Sequence, residues 1–273
     1  MRGLDLNDAS PEGALVVRSV LPVFSHETEG PESVGSCLLV RIDGQAFVVT
    51  AAHVLQQLHE TTGRFVVAVG GRLVRLYAGG FVTNPDDAAD VGLVPLVPAA
   101  LSTFLEAGAV LIEREMIDEA ERGDGIDLLN MVTNTYFVFG FPGSRSWSRV
   151  SHATRQIHAK GYLVKLTLGT CFPDGVSPHE HLILDYDEKE ILQDRERKQP
   201  PSIYGVSGGG IFRFQRGQPE TMRLVGIAIE RHKRERIIVG TRIMVAATLA
   251  REVIARYPDA LLNRSDLLAR VGS

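Results

Sequence analysis

Leu38-Leu39-Val40-Arg41-Ile42-Asp43-Gly44-Gln45-Ala46-Phe47-Val48-Val49-Thr50-Ala51-Ala52-His53 sets two β-rich runs on either side of an Asp-Gly pair. Both central residues of a type I′ turn need positive φ, which Asp and Gly tolerate, so the pair predicts a tight hairpin. The second strand runs into Thr50-Ala51-Ala52, small residues that allow the His53 imidazole to face a cleft. By itself, a histidine in that place is more often structural than chemical.

Outward from the hairpin, the N-terminal third continues as short β runs: Leu15 to Val23, Phe65 to Val69, Leu73 to Tyr77 and Val91 to Leu96, separated by Gly, Asn or Pro. Asp90 stands directly before the last of these, an acid at the mouth of a buried strand, whereas Asp86 and Asp87 read as loop residues. From Phe104 to Leu129, apolar Leu105, Ala109, Ile112, Met116 and Ile117 recur at helical spacing among acidic and basic residues, which predicts an amphipathic helix. Strands resume at Tyr136 to Phe141 and continue through Leu163 to Leu168, His181 to Asp185, Gly210 to Phe214, Arg223 to Ile229 and Ile237 to Met244. Asp187 to Lys198 reads as a charged insertion, and Ala246 to Arg256 as a docked helix. About a dozen short strands with few helices point to an all-β chain of two barrels or a large sandwich.

Ser207 lies in Gly205-Val206-Ser207-Gly208-Gly209-Gly210, where glycines let the backbone bend sharply and bring bare N–H groups close to a ligand. A tight turn between two strands would use the same residues.

Composition narrows the classes. The 273 residues are 44% hydrophobic and 23% charged, enough for a sizeable core without a disulfide or metal staple. A net charge of −4 gives phosphate backbones no global attraction, so no nucleic-acid partner is expected. Cys37 and Cys171 are the only cysteines, which excludes a disulfide framework. The N-terminus carries aspartates where an export signal would be apolar, and no stretch reaches the length of a membrane span. The expectation is a cytoplasmic protein with no membrane partner.

Thr50-Ala51-Ala52-His53, Asp90-Val91-Gly92-Leu93 and Gly205-Val206-Ser207-Gly208-Gly209, in that chain order, resemble the trypsin-like (chymotrypsin-fold) serine peptidases, in their intracellular bacterial-type form. The Gly140-Phe141-Pro142 turn resembles the start of that family's second barrel, and Leu224-Val225-Gly226-Ile227-Ala228 its strand after the serine. The resemblance implies two six-stranded β-barrels with an inserted helix and a C-terminal helix. It divides the chain into a tail over 1–13, a peptidase domain over 14–257 and a tail over 258–273. Within the domain it sets the first barrel at about 14–103, the inserted helix at about 104–129, the second barrel at about 134–245 and the terminal helix at about 246–257.

The same resemblance implies that Ser207 is the nucleophile, His53 the general base and acid, and Asp90 the group that fixes the imidazole tautomer. The N–H groups of Gly205 and Ser207 would hold the oxyanion, and the edge at Ile229-Glu230-Arg231 would pair with a polypeptide substrate. Pro201, near the expected floor of the primary specificity pocket, carries no acid, so no preference for Arg or Lys is implied. Val206 replaces the aspartate with which secreted zymogens grip a new terminal amine, and Val54 stands where secreted members have a disulfide cysteine. Gly210 replaces the usual proline after the serine loop, which leaves room for a protein activator or regulator that orders it.

Other readings compete. Gly205-Val206-Ser207-Gly208-Gly209 also fits the nucleophile elbow of an esterase, but that motif needs a helix after the serine, and Ile211 to Phe214 alternates as a strand. His179-Glu180-His181 offers two metal-type ligands and no evident third, so no metal or other cofactor is expected. Trp147 reads as a loop anchor. The competitor from another class is a catalytically silent domain of the same fold that binds a protein partner.

Overall fold

Asp43 and Gly44 both adopt left-handed φ, 45° and 85°, and the turn joins β2 (Gly30–Ile42) to β3 (Gln45–Ala51) in the register Ile42↔Gln45 through Leu38↔Val49. The computed structural model describes residues 11–27, 30–61, 65–76, 81–84, 87–119, 133–143, 146–151, 154–159, 161–186 and 204–257.

The hairpin sits in the middle of the first lobe. Around it pack β1 (Val20–Glu27), β4 (Phe65–Val69), β5 (Arg72–Leu76), β6 (Val82–Thr83) and β7 (Val91–Pro95), in the order β5-β4-β1-β2-β3-β7-β6. This is a seven-stranded antiparallel sheet, one short strand more than the six expected. Residues 46 to 51 of β3 are all buried, because one face meets the lobe's own core and the other the junction with the second lobe.

The second lobe is a closed six-stranded barrel of β8 (Asn134–Gly140), β11 (Tyr162–Leu168), β12 (His181–Asp185), β13 (Gly210–Gln215), β14 (Gln218–His232) and β15 (Ile237–Arg242), in the order β11-β12-β15-β14-β13-β8. Between β8 and β11 lies a separate hairpin of β9 (Ser146–Ser151) and β10 (Thr154–Ala159). Trp147 therefore lies on a strand, opposite His158, and not in a loop. Cross-strand pairing of a Ser/Thr-rich, weakly apolar run is a contact that local pattern does not announce.

One apolar cluster joins the two lobes. Leu38, Phe47 and Val49 of the first meet Phe137, Phe139, Phe212, Leu224 and Ile227 of the second. The C-terminal helix α4 (Ile243–Arg256) covers the junction with Ile243, Ala246, Leu249 and Val253. Each such fully buried aliphatic or aromatic side chain contributes roughly 1.5–3 kcal/mol of transfer free energy, so the shared cluster holds the two lobes together. The helix begins three residues before the expected Ala246, directly from the end of β15.

Two helical assignments change. Residues 11–19 form α1 (Pro11–Ser19), so the expected boundary at residue 14 and the β run from Leu15 both fall partly inside a helix. Glu12 lies in its first turn and Arg18 in its last, as the helix dipole favours, and buried Val16 seats it on the inter-lobe core. The helix expected over 104–129 is instead α3 (Pro98–Glu106), which starts at a proline and stops where Gly108 takes φ 98°. Beyond it the chain joins β2 in extended form: Ile112 N–H donates to Leu39 O at 2.8 Å and Arg41 N–H to Ile112 O at 2.9 Å. The helical spacing of Ile112 and Ile117 reflects burial in the inter-lobe core, with only a short 3-10 turn over Arg114–Met116 between them. Residues 120–129 of that expected helix, and the insertion at 187–198, lie outside the described residues.

Candidate functional site

The cleft is lined by three chain segments, each held by a different element. His53 is the second residue of α2 (Ala52–Thr61), which begins where β3 ends. Asp90 follows the 3-10 turn Asp87–Ala89 and precedes β7, which pairs with β3 through Ala51↔Val91. That pairing brings the two residues together: Asp90 Oδ2 lies 2.6 Å from His53 Nδ1, and Asp90 Oδ1 accepts the His53 backbone N–H at 2.9 Å. The Asp90 backbone carbonyl accepts the Ala52 N–H at 3.0 Å.

One carboxylate thus does two things. It accepts the His53 N–H in the first turn of α2, where the helix dipole favours negative charge, and it sets the imidazole orientation. The Asp90 side chain is 20% exposed and that of His53 46%, so the acid is shielded while the ring faces solvent in the cleft. Asp90 adopts φ 41°, a conformation that Asp tolerates better than most residues and that clusters at functional sites.

Ser207 sits in the loop ahead of β13. Val206 packs into the second barrel beside Ile211, Val225 and Tyr136, which anchors the loop by burial. Gly208 N–H donates to Ala228 O and Gly209 N–H to Val206 O, both at 2.7 Å. The Ser207 carbonyl accepts the Ser36 N–H from β2 at 2.8 Å, so the loop is also tied to the first lobe. Gly208, at φ 84°, leaves no room for a side chain: a Cβ there would run into the Ser36 carbonyl and the Thr50 hydroxyl.

Gly35 is the spacer between the lobes. A Cβ at that position would lie 2.8 Å from Val54 Cγ2 and 3.1 Å from the Ser207 carbonyl oxygen. The residue after His53 and the backbone of Ser207 therefore crowd the same point on β2. The Ser207 hydroxyl itself donates to the Ile229 carbonyl at 3.0 Å, and among the described residues it makes no hydrogen bond to His53. The structure thus unites His53 with Asp90, while the Ser207 hydroxyl is held by β14.

The Gly205 and Ser207 N–H groups donate to no protein acceptor among the described residues, whereas the Gly205 carbonyl accepts the Ser36 hydroxyl at 2.9 Å. That contact fixes the peptide leaving Gly205, whose φ is 91°. Ser36 Oγ in turn accepts the Phe141 N–H at 2.9 Å, and Thr50 Oγ1 donates to the Ser36 carbonyl at 2.7 Å. Ser36 was not singled out in the sequence, and Thr50 only as a small residue ahead of His53. The available signal was Gly35 within a strand, which marks a close backbone approach.

The β13–β14 ladder ends at Gly210↔Ile227, with Ala228 still bonded to the Gly208 and Gly209 backbone, while the other edge of β14 stays on β15 through Glu230↔Val239 and Arg231↔Ile238. The bulge between Ala228 and Glu230 turns Ile229 out of the β15 ladder, and the strand edge at Ile229, Glu230 and Arg231 lies beside Ser207. Arg231 lays its guanidinium over the Tyr186 ring, 5.1 Å from its centre, and exposed Glu230 contacts His232.

The remaining sequence candidates resolve differently. His181 is buried with both ring nitrogens facing backbone carbonyls, so it is not paired with exposed His179 as a metal site. No group of three or more metal-type ligands occurs among the described residues. Cys37 is buried and Cys171 exposed, and both are free thiols; burial pushes the Cys37 thiol well above its ordinary range. The strand β13 directly after Ser207 is incompatible with a nucleophile elbow, which needs a helix there. Pro201 and Asp86 lie outside the described residues, as does the insertion that separates β12 from the serine loop. Among the described residues, no helix is long and apolar enough to cross a membrane.

This architecture is the chymotrypsin-like fold. No protein-family profile matches the chain, and no curated protein does. Among solved structures, it is similar to neuropsin, a serine protease expressed in the limbic system of mouse brain. The identity is 14%, over 90% of this chain and 97% of that one, with a TM-score of 0.53. It is also similar to GrC, at 14% identity and TM-score 0.51, again over 90% of this chain and 97% of the other. At that identity the likeness establishes the fold, and the chemistry has to be argued from the cleft itself.

Proposed function

We propose that the protein is a serine endopeptidase that works through an acyl-enzyme. The observation that carries this reading is the 2.6 Å contact between Asp90 and His53, with the Ser207 loop fastened to the adjoining strand. In this mechanism the Ser207 hydroxyl turns from Ile229 toward His53 when substrate enters, a side-chain rotation of the kind that tightens only in the Michaelis complex. Ser207 Oγ attacks the peptide carbonyl and His53 Nε2 takes its proton. Asp90 holds Nδ1–H and stabilises the imidazolium.

The N–H groups of Gly205 and Ser207, which donate to no acceptor among the described residues, receive the oxyanion, an effect worth about 2.7–4 kcal/mol per donor. Collapse of the tetrahedral species breaks the C–N bond, and the amine leaves with the proton that His53 returns. Water, deprotonated by the same ring, then hydrolyses the ester. The edge of β14 at Ile229 to Arg231 binds an extended polypeptide by main-chain hydrogen bonds, so the substrate is a peptide segment. Burial of Val206 supports a loop set without a newly cleaved terminal amine, and the two free cysteines suit the cytoplasm. A protein regulator would act on the remaining degree of freedom, the Ser207 rotamer.

A second reading has one observation in its favour: the hydroxyl donates to Ile229 and not to His53, as in a silent domain that binds a protein partner. A fluorophosphonate probe separates the two. Covalent labelling of the wild type that disappears in Ser207→Ala supports the peptidase, and equal absence of labelling in both supports the binding domain.

A further inference from the structure

Two buried side chains of the second barrel reach across to the backbone that carries Asp90. His181, at the start of β12, brings Nε2 to 2.8 Å from the Ala88 carbonyl oxygen. Thr241, in β15, donates its hydroxyl to the next carbonyl, Ala89. His181 and Thr241 face each other directly in the β12–β15 register. The ring is held from behind as well, with Nδ1 3.0 Å from the Ser177 carbonyl oxygen.

These contacts grip the two residues immediately before Asp90. Asp90 itself is held by the first lobe, through Ala52 and His53. The segment 88–90 is therefore spanned between the lobes, and the residue at its end takes the positive φ of 41°. Thr241 also lies opposite Ile227 of β14, and Ile227 opposite Gly210 of β13. His181, Thr241, Ile227 and Gly210 thus form one row across four strands of the barrel. Gly210 follows Ser207 by three residues, so the row has the nucleophile loop at one end and the Asp90 backbone at the other.

We infer that Thr241 and His181 are positioning residues that set the carboxylate–imidazole pair relative to Ser207. This rests on the peptidase reading for its catalytic consequence. A misplacement of about 1 Å in such a site costs on the order of 10²-fold in rate. Thr241→Val keeps the side-chain volume and removes the donor, Thr241→Ser keeps the donor, and His181→Phe keeps a ring without nitrogens.

The experiment measures three quantities on the full chain: fluorophosphonate labelling rate, kcat and KM on a cleaved peptide, and the His53 Nδ1–H resonance in ¹⁵N-histidine-labelled protein. The expected result is a fall in labelling and kcat of about 10²-fold for Thr241→Val, with KM nearly unchanged because the β14 edge is intact. The Nδ1–H resonance is lost or shifted in that variant, and Thr241→Ser restores both. His181→Phe repeats the pattern if it folds; if it does not, the Thr241 pair decides alone. Wild-type labelling and an unchanged resonance in Thr241→Val would overturn the inference. If the wild type is never labelled, the peptidase reading fails, and the dependence of the resonance on Thr241 still decides whether the positioning exists.

Discussion

Ser36, on a strand of the first lobe, donates its hydroxyl proton to the Gly205 carbonyl of the second and accepts the Phe141 N–H, each at 2.9 Å. A single buried hydroxyl thereby fixes the peptide beside the proposed oxyanion site and the turn after β8. Ser36→Ala leaves a buried carbonyl and a buried N–H without partners, at a cost of about 1–3 kcal/mol for each such group. Thermal unfolding should shift down, and fluorophosphonate labelling should slow further than stability alone accounts for.

Asp90→Asn preserves shape and removes the charge that holds Nδ1–H. Turnover should fall by about 10⁴-fold, the scale found when the buried acid of such an arrangement is neutralised. The melting temperature should change little. Asp87→Asn, three residues earlier, is the control, and its turnover should match wild type.

Gly208→Ala tests the close approach of the loop to the first lobe. The added methyl meets the Ser36 carbonyl and the Thr50 hydroxyl at a φ of 84° that alanine resists. The variant should lose several kcal/mol of stability or fail to accumulate as folded protein, which denaturant titration or soluble yield reports.

Thiol chemistry should discriminate sharply between the cysteines. Cys37 is buried and its thiol is held protonated by desolvation, whereas Cys171 is exposed. One equivalent of maleimide should enter native protein, at Cys171, and two after unfolding, as intact mass would show.

Arg251 of α4 holds Glu119 through both terminal nitrogens, at 2.8 and 2.9 Å, and Asp43 of the hairpin turn through Nε at 2.9 Å. Hydrogen bonding to Glu119, then to Asp43, raises its pKa further above its already high ordinary value. The guanidinium stays charged throughout the working pH range, so the network adds no pH dependence from its basic side. With Arg251 39% exposed, Arg251→Ala should cost only about 0–1 kcal/mol, and salt should erode the difference.

Much of the molecule was legible in local pattern. Asp43-Gly44 announced a turn whose φ values are those found, and the apolar runs at Phe65 to Val69 and His181 to Asp185 coincide with β4 and β12. The pattern misled where long-range contacts override it. Ile112 and Ile117 recur as in a helix, yet Ile112 pairs with β2 and Ile117 with Leu224 of β14, which holds both in extended backbone. Val16 belongs to a β-prone run but lies in a helix because its burial against the inter-lobe core outweighs its propensity.

His53, Asp90, Gly205 and Ser207 could be singled out as candidates because side-chain chemistry and chain order are properties of the sequence, and of these the structure joins His53 to Asp90. The partners of those residues could not be singled out. Ser36, Thr50, His181 and Thr241 each reach a backbone carbonyl, and a carbonyl is the same at every residue, so no side-chain pattern marks its partner. Which carbonyl each one reaches, and hence how the acid, the imidazole and the hydroxyl lie relative to one another, depends on how two lobes pack across a shared core.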